Sequence, residues 1–165
     1  SKQASRVGEQ LPMLLMPLRE LRATEPGALN VSLRLGVSAF HGPGGVVQLT
    51  RSYDNAFIGP TIRVNPGDRL TIHLSNELEP ERFSTEELLN HFRSPNVTGL
   101  HVHGLHVSPC FPSDDAFHSV PPGSTTTYSY DIPSDHAGGT FWYHPHHHGA
   151  AYSQVGGGAL GLLVV

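Results

Sequence analysis

Cysteine is nearly missing from this sequence, which contains only Cys110. No disulfide can form within the chain, and the cysteine content does not decide between a reducing and an oxidising compartment. Runs of lysine and arginine are missing as well: 10 basic residues stand against 14 acidic ones, and the net charge is −4. Nothing in this balance indicates nucleic acid or an anionic membrane surface as a partner.

The sequence also lacks a long hydrophobic run. The longest, residues 159–165, is too short to cross a bilayer as a helix. The apolar stretch 11–18 is interrupted by Pro12 and Pro17, which argues against a signal peptide. The chain stops inside the apolar run 159–165, without a turn, a charge or a polar tail after it. We therefore expect it to be part of a longer protein.

Glycine and proline are plentiful, with 18 and 14 residues, whereas only 15% of the residues are charged. This composition is typical of a turn-rich β protein. Apolar and polar residues alternate along residues 30–40, which is the period of a half-buried strand. Further strands are predicted at 46–49, 61–64, 69–74, 96–108, 125–132, 139–144 and 156–165.

One short helix is predicted around residues 84–92, because a capping box begins at Ser84 and apolar residues follow it. The many short strands, with turns between them, favour two packed sheets. The sequence therefore predicts a single all-β domain, residues 1–165, folded as a Greek-key β-sandwich with one short helix.

Histidine is the unusual residue, with twelve copies that lie mostly between His101 and His148. His101 and His103 are two positions apart, and so are His144 and His146. Residues at i and i+2 of a strand point to the same face, so two such pairs on neighbouring strands bring four imidazoles to one place. Imidazole is a good ligand for zinc, copper, iron or nickel. The pattern predicts a metal site.

A proline, Pro145, separates the two histidines of the second pair and limits where their strand can lie in a sheet. Pro145 has no N–H to donate, so the strand that carries it lies at a sheet edge or ends there. From the spacing alone, His146 and His148 also read as a pair.

The two motifs resemble the N-terminal copper motifs of multicopper oxidases. They read His-Val-His-Gly at 101–104 and Gly-Thr-Phe-Trp-Tyr-His-Pro-His at 139–146. The intervening segment 113–130, with its Pro-Pro-Gly, and the closing strand 157–165 resemble the bacterial, laccase-like branch. The resemblance spans roughly residues 55–165, and it implies a cupredoxin-like fold and the first domain of a longer oxidase.

In that family the first domain provides half of the histidines of a trinuclear copper cluster. The resemblance implies that His101 binds the type 2 copper, and that His103, His144 and His146 bind the type 3 pair. The Trp-Tyr that precedes His144 sets this register. His147 and His148 are then expected to be non-ligands or to contact ligands.

The resemblance also places an acidic residue near the type 2 copper. Asp114 is the candidate, as a catalytic group that holds or relays a proton while oxygen is reduced. Asp115 is the competing choice, and a solvated turn carboxylate is the alternative for both. Cys110 has no histidines beside it, so the blue copper, a His₂Cys site, is expected in a missing domain.

The function implied is a copper-dependent oxidase that couples one-electron oxidation of a donor to four-electron reduction of O2 to water. Its expected partners are O2, an unidentified reducing substrate and C-terminal cupredoxin domains of the same protein or a neighbouring subunit. The family resemblance implies a periplasmic or secreted location. This chain alone is expected to be inactive.

Three other functions remain as alternatives. A copper nitrite reductase domain would carry a His-Cys pair where this chain has His144 and His146, which argues against it. A zinc enzyme with three histidines and an open position is a second alternative. A non-enzymatic copper-binding module is a third.

Overall fold

The computed structural model describes residues 18–80 and 94–165. Their strands are β1 (Glu20–Arg22), β2 (Ala28–His41), β3 (Val47–Tyr53), β4 (Thr61–Arg63), β5 (Arg69–Asn76), β6 (Leu100–His103), β7 (Thr125–Asp131), β8 (Thr140–Pro145) and β9 (Gly161–Val164). Helix α1 (Ala151–Gly156) lies between β8 and β9, and a 3-10 turn (Pro43–Gly45) joins β2 to β3. The helix predicted around 84–92 lies outside the described residues.

The strands form two mixed sheets. One has five strands in the order β1-β4-β9-β8-β6, and the other has four in the order β3-β2-β5-β7. Together they make the predicted cupredoxin-like β-sandwich, so the fold class is confirmed. No helix in these parts of the chain is long and apolar enough to span a bilayer.

Two sequence predictions about elements were wrong. Residues 156–165 were expected to form one strand, but α1 ends at Gly156 and β9 begins only at Gly161. Gly158 has a φ of 102°, and a side chain there would collide with the backbone of Phe57, so the chain turns sharply at a glycine. Of the extended segment predicted at 96–108, only Leu100–His103 is a strand.

The core lies between the facing sheets and follows from the alternation of side chains along each strand. Strand β2 buries every second residue from Leu29 to Leu35. Four tyrosines are also fully buried: Tyr53, Tyr128, Tyr130 and Tyr143. Burial raises the pKa of Tyr128 to about 12, and its hydroxyl oxygen accepts the backbone N–H of Leu100 at 3.0 Å.

Helix α1 is tied to the segment that leads into β6. Gln154 is fully buried, and its side-chain amide donates to the carbonyls of Pro95 (3.0 Å) and Val97 (2.7 Å). Its carbonyl accepts the hydroxyl of Thr98 at 2.9 Å. A single side chain therefore fixes the residues after β8 to those before β6.

Candidate metal centre

The two histidine motifs lie on neighbouring antiparallel strands. Strand β6 pairs with β8 so that His101 is directly opposite His144, and His103 is opposite Trp142. Side chains opposite each other in an antiparallel pair share a face, and so do residues two apart on one strand. The buried neighbours Val102 and Tyr143 point to the other face, into the core. The alternation thus places the imidazoles together on the outer face.

Three imidazoles come closest. One ligand nitrogen from each of His101, His103 and His144 lies within 4.8 Å of the others. The ring centroid of His101 is 5.4 Å from that of His103 and 5.2 Å from that of His144. These three residues therefore form a compact group of nitrogen ligands.

The fourth predicted ligand is in the same ring cluster but outside this group. His146 follows the last residue of β8, so the strand geometry no longer sets its direction. Its ring centroid lies 5.1 Å from that of His101 and 6.1 Å from that of His144. Strand β8 ends at Pro145. This is one of the two outcomes predicted from the missing N–H of proline, the other being a strand at the sheet edge.

Hydrogen bonds determine which ring nitrogen is left for a metal. The Nδ1 of His144 lies 2.9 Å from the carbonyl of Pro145, and the Nδ1 of His146 lies 3.2 Å from the carbonyl of Ala116. A carbonyl only accepts, so Nδ1 carries the hydrogen and Nε2 keeps its lone pair. The Nε2 of His144 is buried and has no hydrogen-bond partner among the described residues.

Burial also favours the neutral form of His144. Its side chain is in a low-dielectric environment, which lowers its pKa from the ordinary value; the neighbouring imidazoles lower it further, and the hydrogen bond to Pro145 opposes the shift. A neutral imidazole is the form that binds a metal.

Asp114 contacts the first histidine. Its carboxylate oxygens lie 3.0 and 2.9 Å from the Nδ1 of His101, and one of them also accepts the backbone N–H of Val102 at 2.9 Å. Asp115, the competing choice, accepts the backbone N–H of Phe117 at 3.0 Å and so closes a turn. Of the two carboxylates, Asp114 is the one that orients a predicted ligand, through Nδ1, as carboxylates commonly do for metal-binding histidines.

Trp142 lies half-buried on the face of the histidines. Its ring stacks on those of His144 (centroids 4.0 Å apart) and His103 (5.2 Å). The signal for this position was in the sequence, since Trp142 is two residues before His144. The carbonyl of Ala116, by contrast, carries no sequence signal because every residue has one.

The remaining histidines near the cluster have other contacts. His136 uses both nitrogens, because Nδ1 donates to the carbonyl of Ala137 and Nε2 accepts the backbone N–H of His106. The Nδ1 of His147 lies 3.0 Å from the hydroxyl of Ser119. His136 is therefore a structural residue of the loop before β8.

An open cavity of about 760 Å³ lies beside the cluster. Its wall includes Trp142, His144, His146, Ala151 and Tyr152. Two of the four predicted ligands, His144 and His146, therefore border open space on one side.

The comparisons with known proteins agree on one family. A family model described as multicopper oxidase matches residues 87–165. A Saccharomyces cerevisiae protein described as a multicopper oxidase is 31% identical over 166 residues, which cover 94% of this chain and 25% of that protein. A multicopper oxidase structure from Campylobacter jejuni superimposes with a TM-score of 0.69 and 28% identity. The match covers 91% of this chain and 28% of the Campylobacter jejuni chain. This chain is a cupredoxin domain of the multicopper oxidase family.

The resemblance seen in the two histidine motifs is thereby confirmed. Copper is the cofactor that membership of the multicopper oxidases implies, and the described residues contain a group of three histidines that could hold a metal ion. The iron transport multicopper oxidase of Epichloe festucae is 36% identical over 112 residues, 64% of this chain and 14% of the relative. The domain thus spans about a quarter or less of these curated multicopper oxidases.

Proposed function

We propose that this chain is the N-terminal domain of a laccase-like multicopper oxidase that couples one-electron oxidation of a donor to four-electron reduction of O2 to water. In this proposal His101 is a ligand of the type 2 copper. His103, His144 and His146 are ligands of the type 3 pair. The domain supplies half of the histidines of the trinuclear site.

The buried, unpartnered Nε2 of His144 carries this proposal. Burying a polar nitrogen without a hydrogen bond is unfavourable, and here the nitrogen lies among the ligand atoms of His101 and His103. A bound metal ion satisfies such an atom. The donor set consists of imidazoles, three of them on strands β6 and β8, which suits copper.

The residues of this domain position ligands and a proton. Bound copper supplies the electron transfer and the binding of oxygen. Asp114 holds His101 by Nδ1, which directs Nε2 of that ring towards the cluster. In this proposal the same carboxylate, which contacts His101, relays a proton beside the cluster. The carbonyls of Pro145 and Ala116 direct the Nε2 atoms of His144 and His146.

Electrons enter elsewhere in this proposal. Cys110 is exposed, and its backbone N–H bonds the hydroxyl of Ser108, in a loop outside the histidine cluster. Its sequence neighbours are Pro109 and Phe111, not the histidines that accompany the cysteine of a blue copper site. C-terminal cupredoxin domains, of the same protein or a neighbouring subunit, would provide the blue copper and the remaining ligands. We place the protein in the periplasm or outside the cell, as the family resemblance implies.

The test is oxygen consumption by the full-length protein that contains this domain. With a one-electron donor present, copper-loaded protein should consume one O2 for every four donor molecules oxidised. His103→Ala should lower this rate more than a hundredfold, because loss of a ligand exceeds the 10–100-fold effect of losing a group that orients one. His73→Ala is the matched control, since His73 is an exposed histidine on β5 of the other sheet.

Two results would reject the proposal. Protein that binds zinc and consumes no O2 would favour the zinc-enzyme alternative. Protein that binds copper but does not turn over any donor would favour a non-enzymatic copper module.

A further inference from the structure

The proposed ligands divide into a group of three and a single residue. The ligand atoms of His101, His103 and His144 lie within 4.8 Å of one another, and His146 is outside this group. Nitrogen ligands of one ion, at about 2.0–2.1 Å each, are at most about 4.1 Å apart. Shifts of about 1 Å or less in side-chain position would therefore bring the three around one ion. The ligand nitrogens of His146 do not meet this distance, although its ring lies beside that of His101.

The charge of the cluster also favours one ion. The imidazoles are neutral ligands, and Asp114 is the carboxylate hydrogen-bonded to one of them. Two divalent ions about 4 Å apart repel each other even at the dielectric constant of water. This repulsion weakens the binding of the second ion about a thousandfold. Ligands from another domain would be needed to offset this repulsion.

Two of the three rings are already oriented for binding. Asp114 holds the Nδ1 of His101, and the carbonyl of Pro145 holds the Nδ1 of His144, so both present Nε2. His103 is positioned by its stacking on Trp142. Binding one ion therefore requires little reorganisation, which preserves affinity.

We propose that this domain by itself binds a single Cu²⁺ ion through His101, His103 and His144. This one-ion state is the first step in loading the complete site, before another domain adds its histidines. The inference rests on the proposed function in treating these three residues as copper ligands. The inference goes beyond the proposed function in two ways. It gives the number of ions that this domain binds alone, and it leaves His146 out of the first binding event.

Calorimetric titration of the 165-residue chain with Cu²⁺ tests the inference, and the tryptophan emission provides a second readout. Trp142 is the only tryptophan and stacks on two of the three ligands, so Cu²⁺ at this place quenches its fluorescence. We expect one Cu²⁺ per chain and strong quenching. Zn²⁺ should bind more weakly, as the order of divalent-metal affinities requires, and leave most of the emission.

Variants identify the ligands. His101→Ala, His103→Ala and His144→Ala should each weaken Cu²⁺ binding at least tenfold and reduce the quenching. His103 is exposed, so His103→Ala and His103→Gln should keep the fold, which far-ultraviolet circular dichroism checks. His73→Ala, on the other sheet, is the control.

Three outcomes would overturn the one-ion inference. The first is binding of two or more Cu²⁺ ions with similar affinity, and the second is no binding at all. The third is a loss of Cu²⁺ affinity in His146→Ala or His148→Ala as large as the loss in His103→Ala. If the full-length protein still binds three copper ions and reduces O2, the proposed function stands although the inference has failed. If the full-length protein binds no copper either, both have failed.

Discussion

One oxygen of the Asp114 carboxylate lies 3.0 Å from the Nδ1 of His101 and 2.9 Å from the backbone nitrogen of Val102. The carboxylate thus fixes both the ring of a proposed ligand and the strand that carries it. Asp114 lies in the loop before β7, not on the strands of the cluster. The contact therefore couples this loop to the geometry of the metal site.

Asp114→Asn should lower the affinity of the chain for Cu²⁺ by about 10–100-fold, the usual effect of removing a group that orients a metal-bound histidine. The amide is uncharged and cannot accept from both Nδ1 of His101 and the N–H of Val102 as well as the carboxylate does. Calorimetric titration measures the change. Asp115→Asn is the matched control, because that carboxylate bonds Phe117. Equal losses in the two variants would contradict a positioning role for Asp114.

Gln154→Ala should destabilise the domain by about 3 kcal/mol, because three hydrogen bonds are lost and buried partners are left unsatisfied. Urea denaturation, followed by circular dichroism, gives the free energy of unfolding. Gln48→Ala changes an exposed glutamine on β3 and should stay within about 0.5 kcal/mol of the parent. If both glutamine variants unfold at the same urea concentration, Gln154 does not tie the helix to the segment before β6.

Gly161→Ala should destabilise the domain by more than about 2 kcal/mol, the effect of overpacking a rigid core. A Cβ at this position would overlap the hydroxyl and ring of Tyr143, which lies directly opposite on β8 and donates to the carbonyl of Pro60 at 2.7 Å. Thermal unfolding reports the loss. Gly36→Ala on β2 is the control, since its Cβ would meet no atom within 4 Å. A Gly161→Ala domain as stable as Gly36→Ala would show that Tyr143 moves aside easily.

Asp68 provides a prediction about pH. Its buried carboxylate accepts the backbone N–H groups of Asn65 (2.8 Å) and Gly27 (2.9 Å), and the hydrogen bond from Asn65 is the main cause that lowers its pKa from 3.8. Because the folded pKa is lowered, the stabilisation is complete above about pH 4. It is lost as the pH falls through the folded pKa.

Asp68→Asn should therefore reduce the free energy of unfolding by about 1–3 kcal/mol at pH 7. The difference from the parent should shrink as the pH falls below about 4, where the unfolded carboxyl group becomes protonated. Urea denaturation at a series of pH values measures both curves. A difference that stays constant down to about pH 2 would show that the charge of Asp68 does not stabilise the fold.

Several parts of the molecule could be predicted because they depend on local pattern. The alternation in β2 predicted that Val31, Leu33 and Leu35 are buried, since side chains alternate between faces of a strand. It failed beyond them, because Val37 is exposed and Ser38 is buried. The spacing of His101 and His103 predicted that both project from one face. Helix α1 was not predicted, because it is short, follows a run of three histidines and is held by the distant contacts of Gln154.

The sequence by itself determined the two-sheet fold class, the strands that carry the histidines and the family to which the chain belongs. Only the tertiary structure decided that His101 lies opposite His144 and that Asp114 rather than Asp115 bonds His101. It also decided that the ligand nitrogens of His101, His103 and His144 form the closest group. The physical reason is the range of each effect. Periodicity and turn preference act within a few residues, whereas strand register and loop contacts depend on packing between residues far apart in the chain.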